Sequence, residues 1–383
     1  MDNTIKVAVV RSDRRRGAVA EAFALIADDV RRCVKADSRP VIVPNLDNPV
    51  RPWTCTHRDT LSAATDAILG AGASSIMIAA GTGRRGHPTC DQFDRLGYRG
   101  ELWNRPATFL DLDSDTDSGH GGEPWTTIRW INPRGEPVPL RICSRVAAAR
   151  CRVSLGVART HGLYRVGLGL TDLTGVFHPD DGYLPGQEHG AGGGPLRVPS
   201  RAALVLESWR GWMVRAWLGL RSIAGGMRLT GSERRRLEWV EQATSSLVAL
   251  AALMQPRVSL IDGFAAMEGE GPRYGRRRAL GTVIAGTDPV AVDAVAASIM
   301  GFEPREIAYL RQAEIMGLGT ADLAAITLVG DPVSACRHRF RRHSSDPLLR
   351  LVSSSAAREP GAPRPHLGSV PSRSQPGRVG RTK

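Results

Sequence analysis

Two hydrophobic periods alternate along the chain. Short β-branched runs at 6–10, 40–43 and 75–79 are separated by stretches with the 3.6-residue spacing of helices at 18–34 and 58–69. That alternation predicts βαβ units and a parallel sheet. A further buried strand is expected at 108–112, and strand-like runs at 126–131 and 138–142 fit an antiparallel insertion. A helix is predicted over 198–223, with Trp209, Trp212, Met213, Ala216, Trp217 and Leu220 on one face for core packing. A second begins at the capping box Thr230-Gly231-Ser232-Glu233 and runs to Met254, where Pro256 stops it. Strands are then expected at 257–261, 282–285 and 326–329, and helices at 289–300 and 304–316. The fold class is α/β: a mostly parallel sheet or sheets with flanking helices, as one body or two lobes, and a disordered basic C-terminal tail. The segments are an N-terminal lobe over 1–115, a second lobe over 116–335 and the tail over 336–383.

Composition narrows the function classes. At 383 residues and 42% hydrophobic, the chain can bury a core without disulfides. The longest apolar run, 247–254, falls short of the roughly 20 residues of a membrane span, and the first residues lack a signal-peptide pattern. A cytoplasmic protein without a membrane partner is expected. Cys33, Cys55, Cys90, Cys143, Cys151 and Cys336 form no C-x-x-C pair, so no intrinsic iron-sulfur cluster or zinc site is expected. The formal charge is +13, but eleven basic residues from Arg337 to Lys383 face only Asp346 and Glu359. The body is nearly balanced, so no specific nucleic-acid partner is expected, although the tail could hold polyanions. The sequence leaves the oligomeric state open.

Candidate chemistry gathers at predicted strand ends, where open α/β sheets bind ligands. Asp262, Gly263, Glu268 and Asp293 lie within one stretch of about thirty residues, joined by Asp288. Asp288 precedes Pro289 at a helix start, which favours a capping role. Asp293 interrupts an otherwise apolar helix, and a carboxylate there needs either a buried partner or a function. Gly269 and Gly271 give Glu268-Gly269-Glu270-Gly271 a tight turn whose acids suit a divalent cation better than a phosphate. Arg159, Thr160 and His161 stand on an expected post-strand loop, able to hold an anion or move a proton. Gly81 and Gly83 belong to a literal G-x-G-x-x-G, but Pro88 interrupts the helix that a dinucleotide fingerprint needs, so no dinucleotide is expected. Asn45 follows a strand, and Thr56 with His57 precedes a helix that Thr56 could cap. No G-x-x-x-x-G-K-[ST], H-E-x-x-H or G-x-S-x-G occurs.

The blocks 261–272, 285–294 and 299–302 resemble the C-terminal half of the domain of unknown function 362 family. Val43-Pro44-Asn45, Thr56-His57, Ala80-Gly81-Thr82-Gly83 and Arg159-Thr160-His161-Gly162 are similar to its earlier blocks in the same order, covering most of 5–332. The resemblance implies an α/β domain without an assigned activity, often joined to a ferredoxin-like cysteine cluster that this chain lacks. The chain departs from the family where Val43 and Arg159 replace lysines and Thr171-Asp172 replaces a Lys-Asn pair. The resulting expectation is a small-molecule ligand, anionic in character, in a cleft collecting His161, Asp262 and Asp293 as catalytic groups. An accessory iron-sulfur-associated role and polyanion binding through the tail are the alternatives.

Overall fold

A computed structural model describes residues 4–35, 39–46, 51–81, 89–113, 125–131, 137–178 and 231–355. Its strands are β1 (Ile5–Arg11), β2 (Val41–Pro44), β3 (Ile76–Ala80), β4 (Ala107–Asp111), β5 (Trp125–Ile131), β6 (Pro137–Cys143), β7 (Arg152–His161), β8 (Arg165–Gly167), β9 (Val258–Glu268), β10 (Arg276–Arg278), β11 (Thr282–Gly286) and β12 (Ile326–Gly330). Ten form one sheet in the order β12-β1-β11-β9-β7-β2-β3-β4, with β8 on β7 and β10 on β9. Along this path only β11 runs against the rest. β5 and β6 form a separate antiparallel pair, as their alternating pattern predicts.

The central strands of this sheet bury both faces, which explains their continuous apolar runs in place of strict alternation. On one face Ala8, Ile42, Ile78, Leu155 and Leu260 pack against helices Arg15–Leu25, Ala27–Val34 and Arg58–Gly70. On the other, Val9, Val43, Ala79, Ile261 and Ile284 meet helices Gly231–Met254 and Pro289–Ile299. Helix 289–299 is buried on every side, so Asp293 is its one ionisable residue without water. β1 lies between β11 and β12, so segments from either side of residue 115 share a single sheet.

Two element boundaries differ from the sequence reading. β7 continues through His161 and β9 through Glu268, so Arg159, Thr160, His161, Asp262 and Gly263 are strand residues rather than loop residues. β7 is central, and its end is covered by β8 and by the far end of β9, which supply the pairing that polarity alone did not reveal. The expected start of the tail at 336 needs correction. Residues 337–352 pack on the body: Phe340, Leu349 and Val352 join the core, and Asp346–Ser355 is helical. The remainder of the tail and the predicted Trp-rich helix over 198–223 lie outside the described residues.

Candidate functional site

β1, β2, β7 and β9 all point the same way, so the helices following β1 and β2 both begin at the carboxyl edge of the sheet. These helices, 15–25 and 58–70, carry Arg15 and Arg58 at their first positions. A cation there opposes the positive end of the helix dipole, at a cost of roughly 0.3–1 kcal/mol each. Asp262 in β9 faces them. Its Oδ2 accepts from Thr60 Oγ1 at 2.6 Å and its Oδ1 from the Phe264 amide at 2.9 Å. Arg15 Nε stands 3.1 Å from Oδ2 without hydrogen-bond alignment, and its guanidinium lies over the Phe264 ring at 5.1 Å.

Beside Asp262 opens a cleft of about 370 Å³. Arg15, Arg58, Arg95 and Arg277 line it together with His57 and Asp262. Among the described residues no carboxylate pairs with Arg58, Arg95 or Arg277, so a net positive field faces the opening. Trp53 and Leu96 give it an apolar wall. A second groove of about 300 Å³ between the helices of that face is lined mainly by alanines, and its Arg16 is already paired with Asp66 and Glu101.

His57, not Thr56, caps helix 58–70: its Nδ1 accepts from the Asp59 amide at 3.2 Å. Burial, with Arg15 next in effect, lowers the imidazole pKa, so the ring is neutral near pH 7 and carries its proton on Nε2. Thr56 is a strut instead. Its hydroxyl donates to the Leu155 carbonyl at 2.7 Å and accepts from the Asn45 amide at 2.9 Å, while the Asn45 side chain donates to the Thr54 carbonyl. Together they pin the loop that carries Trp53 and His57 onto β7.

The other sequence candidates stand elsewhere. Asp293 is fully buried on the opposite face and accepts from the Gly169 amide at 2.9 Å, the Leu170 amide at 3.1 Å and the Tyr309 hydroxyl at 3.1 Å. Among the described residues no arginine pairs with it, and burial raises its pKa to about 8 against those three donors. His161 Nδ1 accepts from the Leu163 and Tyr164 amides, and burial, then Arg159, holds its pKa well below the usual imidazole range. Arg159 pairs with Asp172. Thr160 Oγ1 donates to the Gly269 carbonyl at 2.9 Å. Asp262 and Asp293 therefore do not share a hollow, because neighbouring strand positions Ile261 and Asp262 project to opposite faces.

Asp288 caps helix 289–299 by accepting from the Ala291 amide at 2.9 Å and also takes the Thr320 amide at 3.1 Å. The acidic turn is spent on the segment after Cys336: Glu268 accepts from the Arg341 amide, and Glu270 from Ser344 and His343. Gly269 takes a left-handed φ of +84°, and a Cβ on Gly271 would run into the Thr160 carbonyl. Ser345, His343 and Glu270 stand in a relay-like order, but the Ser345 hydroxyl is committed to the Gly162 carbonyl at 2.8 Å. Among the described residues no group of three or more His, Cys, Asp or Glu could hold a metal ion. Gly263 abuts the Thr282 carbonyl, Gly81 lies against Asp113, and Gly83 lies outside the described residues.

Thus the structure brings Thr56, His57 and Asp262 together and leaves His161 and Asp293 apart from them. Arg15, Arg58, Arg95, Arg277 and Trp53 escaped the sequence reading. The one available signal was Arg14-Arg15-Arg16 opening a helix whose first turn has no acid. Two of the positions departing from the family pattern meet, Arg159 pairing with Asp172, and Val43 is buried on the face that holds Asp293.

No curated protein matches the sequence. Among solved structures, the lactate racemase apoprotein of Thermoanaerobacterium thermosaccharolyticum aligns with 12% identity and a TM-score of 0.41, over 77% of this chain. The chain spans 57% of that protein's length. No helix among the described residues is long and apolar enough to cross a membrane. The family model described as a domain of unknown function, DUF362, matches residues 41–298, from β2 through helix 289–299 and including His57 and Asp262. With well over half its length matched, the chain belongs to the DUF362 family.

Proposed function

We propose that this protein binds, and acts on, a small anionic molecule in the cleft at the carboxyl ends of β2, β7 and β9. The observation that carries this reading is the meeting of four arginines around one opening with a single carboxylate among them. Arg58, Arg95 and Arg277 reach water, which screens their repulsion, and an anion seated among them can draw on all three. Asp262 offsets the fourth, Arg15. An anionic ligand offsets the rest. Within the cleft, His57 Nε2–H is a donor and Asp262 an acceptor, the two groups that proton transfer on a bound ligand requires. Oxygen ligands for a divalent cation are not needed in this reading.

Isothermal titration of the full chain with inorganic phosphate, succinate and citrate tests it, alongside Arg95→Gln and Arg277→Gln. At least one anion should bind, and each variant should weaken that binding about tenfold, the loss of one charge-assisted hydrogen bond. Absence of binding by every anion, or unchanged affinity in both variants, refutes the reading.

A further inference from the structure

The ligand class of the cleft can be narrowed from the directions and shapes of its walls, an argument that rests on the anion-binding reading above. The four arginines come from four separate elements: helix 15–25, helix 58–70, helix Thr89–Arg95 and β10. A carboxylate is planar and is satisfied by one guanidinium fork. Donors arriving from several elements match a tetrahedral group with three equivalent oxygens. Counting Arg15, Arg58, Arg95 and Arg277 against Asp262, with His57 neutral, the lining carries an excess of three positive charges. A dianion offsets that excess better than a monoanion.

Size and apolar surface say what accompanies the phosphate. A cleft of about 370 Å³ is several times larger than a bare phosphate needs, given roughly 30 Å³ for each water in the liquid. Trp53 and Leu96 form a wall beside the arginines, and an indole favours a flat partner through offset stacking. The backbone carrying Trp53 is held there: the short turn Pro52–Thr54 is held by the Thr54 amide and hydroxyl, which both bond the Arg51 carbonyl, and by Asn45 on the Thr54 carbonyl. We infer that the cleft takes a phosphate monoester of a flat, ring-containing molecule, its phosphate among Arg58, Arg95 and Arg277 and its ring against Trp53.

Calorimetric titration of the full chain with phenyl phosphate, inorganic phosphate, benzoate and citrate tests this, repeated with Trp53→Ala, Trp53→Leu and Arg277→Gln. Phenyl phosphate should bind at least tenfold tighter than each of the other three. Both Trp53 variants should reduce phenyl phosphate affinity about tenfold and leave inorganic phosphate unchanged, whereas Arg277→Gln should weaken both. The leucine variant keeps apolar bulk in the turn, so a folding defect of the alanine variant does not decide the outcome. If citrate binds tighter than phenyl phosphate, the cleft is an anion site but the phosphate-ester class is overturned. Unchanged phenyl phosphate affinity in Trp53→Leu overturns the ring contact. Failure of all four compounds overturns the anion-binding reading itself.

Discussion

Replacing Asp293 by asparagine separates the two effects that act on this buried side chain. Three donors converge on its carboxyl group, which favours the ionised form, while complete burial opposes ionisation and raises the pKa from 3.8 to about 8. If burial wins, the folded protein holds a proton on Asp293 that the unfolded chain releases above about pH 4. Folded-state stability is then full below the unfolded value and falls as pH rises, by about 1.4 kcal/mol per pH unit, until the folded pKa is passed. The asparagine side chain has no proton to lose, so D293N removes that slope. The amide also costs a constant of about 1–3 kcal/mol, since one of the backbone amides now faces an NH₂ group. The two proteins should therefore be close in stability at pH 5, and D293N should be the more stable at pH 8, because about four units of that slope outweigh the constant cost. Urea unfolding followed by circular dichroism at both pH values for both proteins measures the change. Parallel pH profiles would show that the donors win and Asp293 is ionised in the fold.

Other consequences are as direct. Thr60→Val leaves the Asp262 carboxylate short of a donor and should cost about 1.5–3 kcal/mol in urea unfolding. Arg165→Met removes the buried partner of Asp346, leaving it Arg350 at 3.4 Å and Arg342 at 3.9 Å, and should destabilise the fold by about 1.5–3 kcal/mol while exposing the segment after residue 337 to limited proteolysis. His161, held neutral by burial, should titrate by NMR well below the usual imidazole range, and its protonation at low pH should favour unfolding. Gly271→Ala should prevent accumulation of soluble protein, because β7 and the turn after β9 touch there with no room for a methyl group.

How far the sequence carried depended on whether the physics was local. The βαβ alternation, the antiparallel pair at 125–143 and the Asp288 cap could be read directly, because hydrophobic period and capping chemistry act within a few residues. The grouping of Asp262 with Asp293 could not, since it required knowing which face each side chain takes, and a shift of one residue reverses that answer. The motif at 159–161 was misplaced for a related reason: polar residues in a strand end look like a loop until a neighbouring strand is seen to cover them. Apart from the Arg14-Arg15-Arg16 run, the cleft arginines left no mark, because a single arginine on a helix or short strand carries no pattern. Their meaning comes from four elements converging on one edge. Segment 337–345 looked like tail by composition, yet its backbone and Phe340 complete the surroundings of Glu268 and Glu270.

The placement of β1 between β11 and β12 has a consequence for biogenesis. Ile5 must meet Ile326, and Val7 must meet Gly286, so the first strand synthesised finds its neighbours only when nearly the whole sheet has been made. During synthesis at about 5–20 residues per second, β1 waits many seconds with both edges open, the state most prone to mispairing with other chains. A nascent chain halted before residue 282 should therefore bind chaperones or aggregate, and release past residue 330 should let the sheet close in one late step.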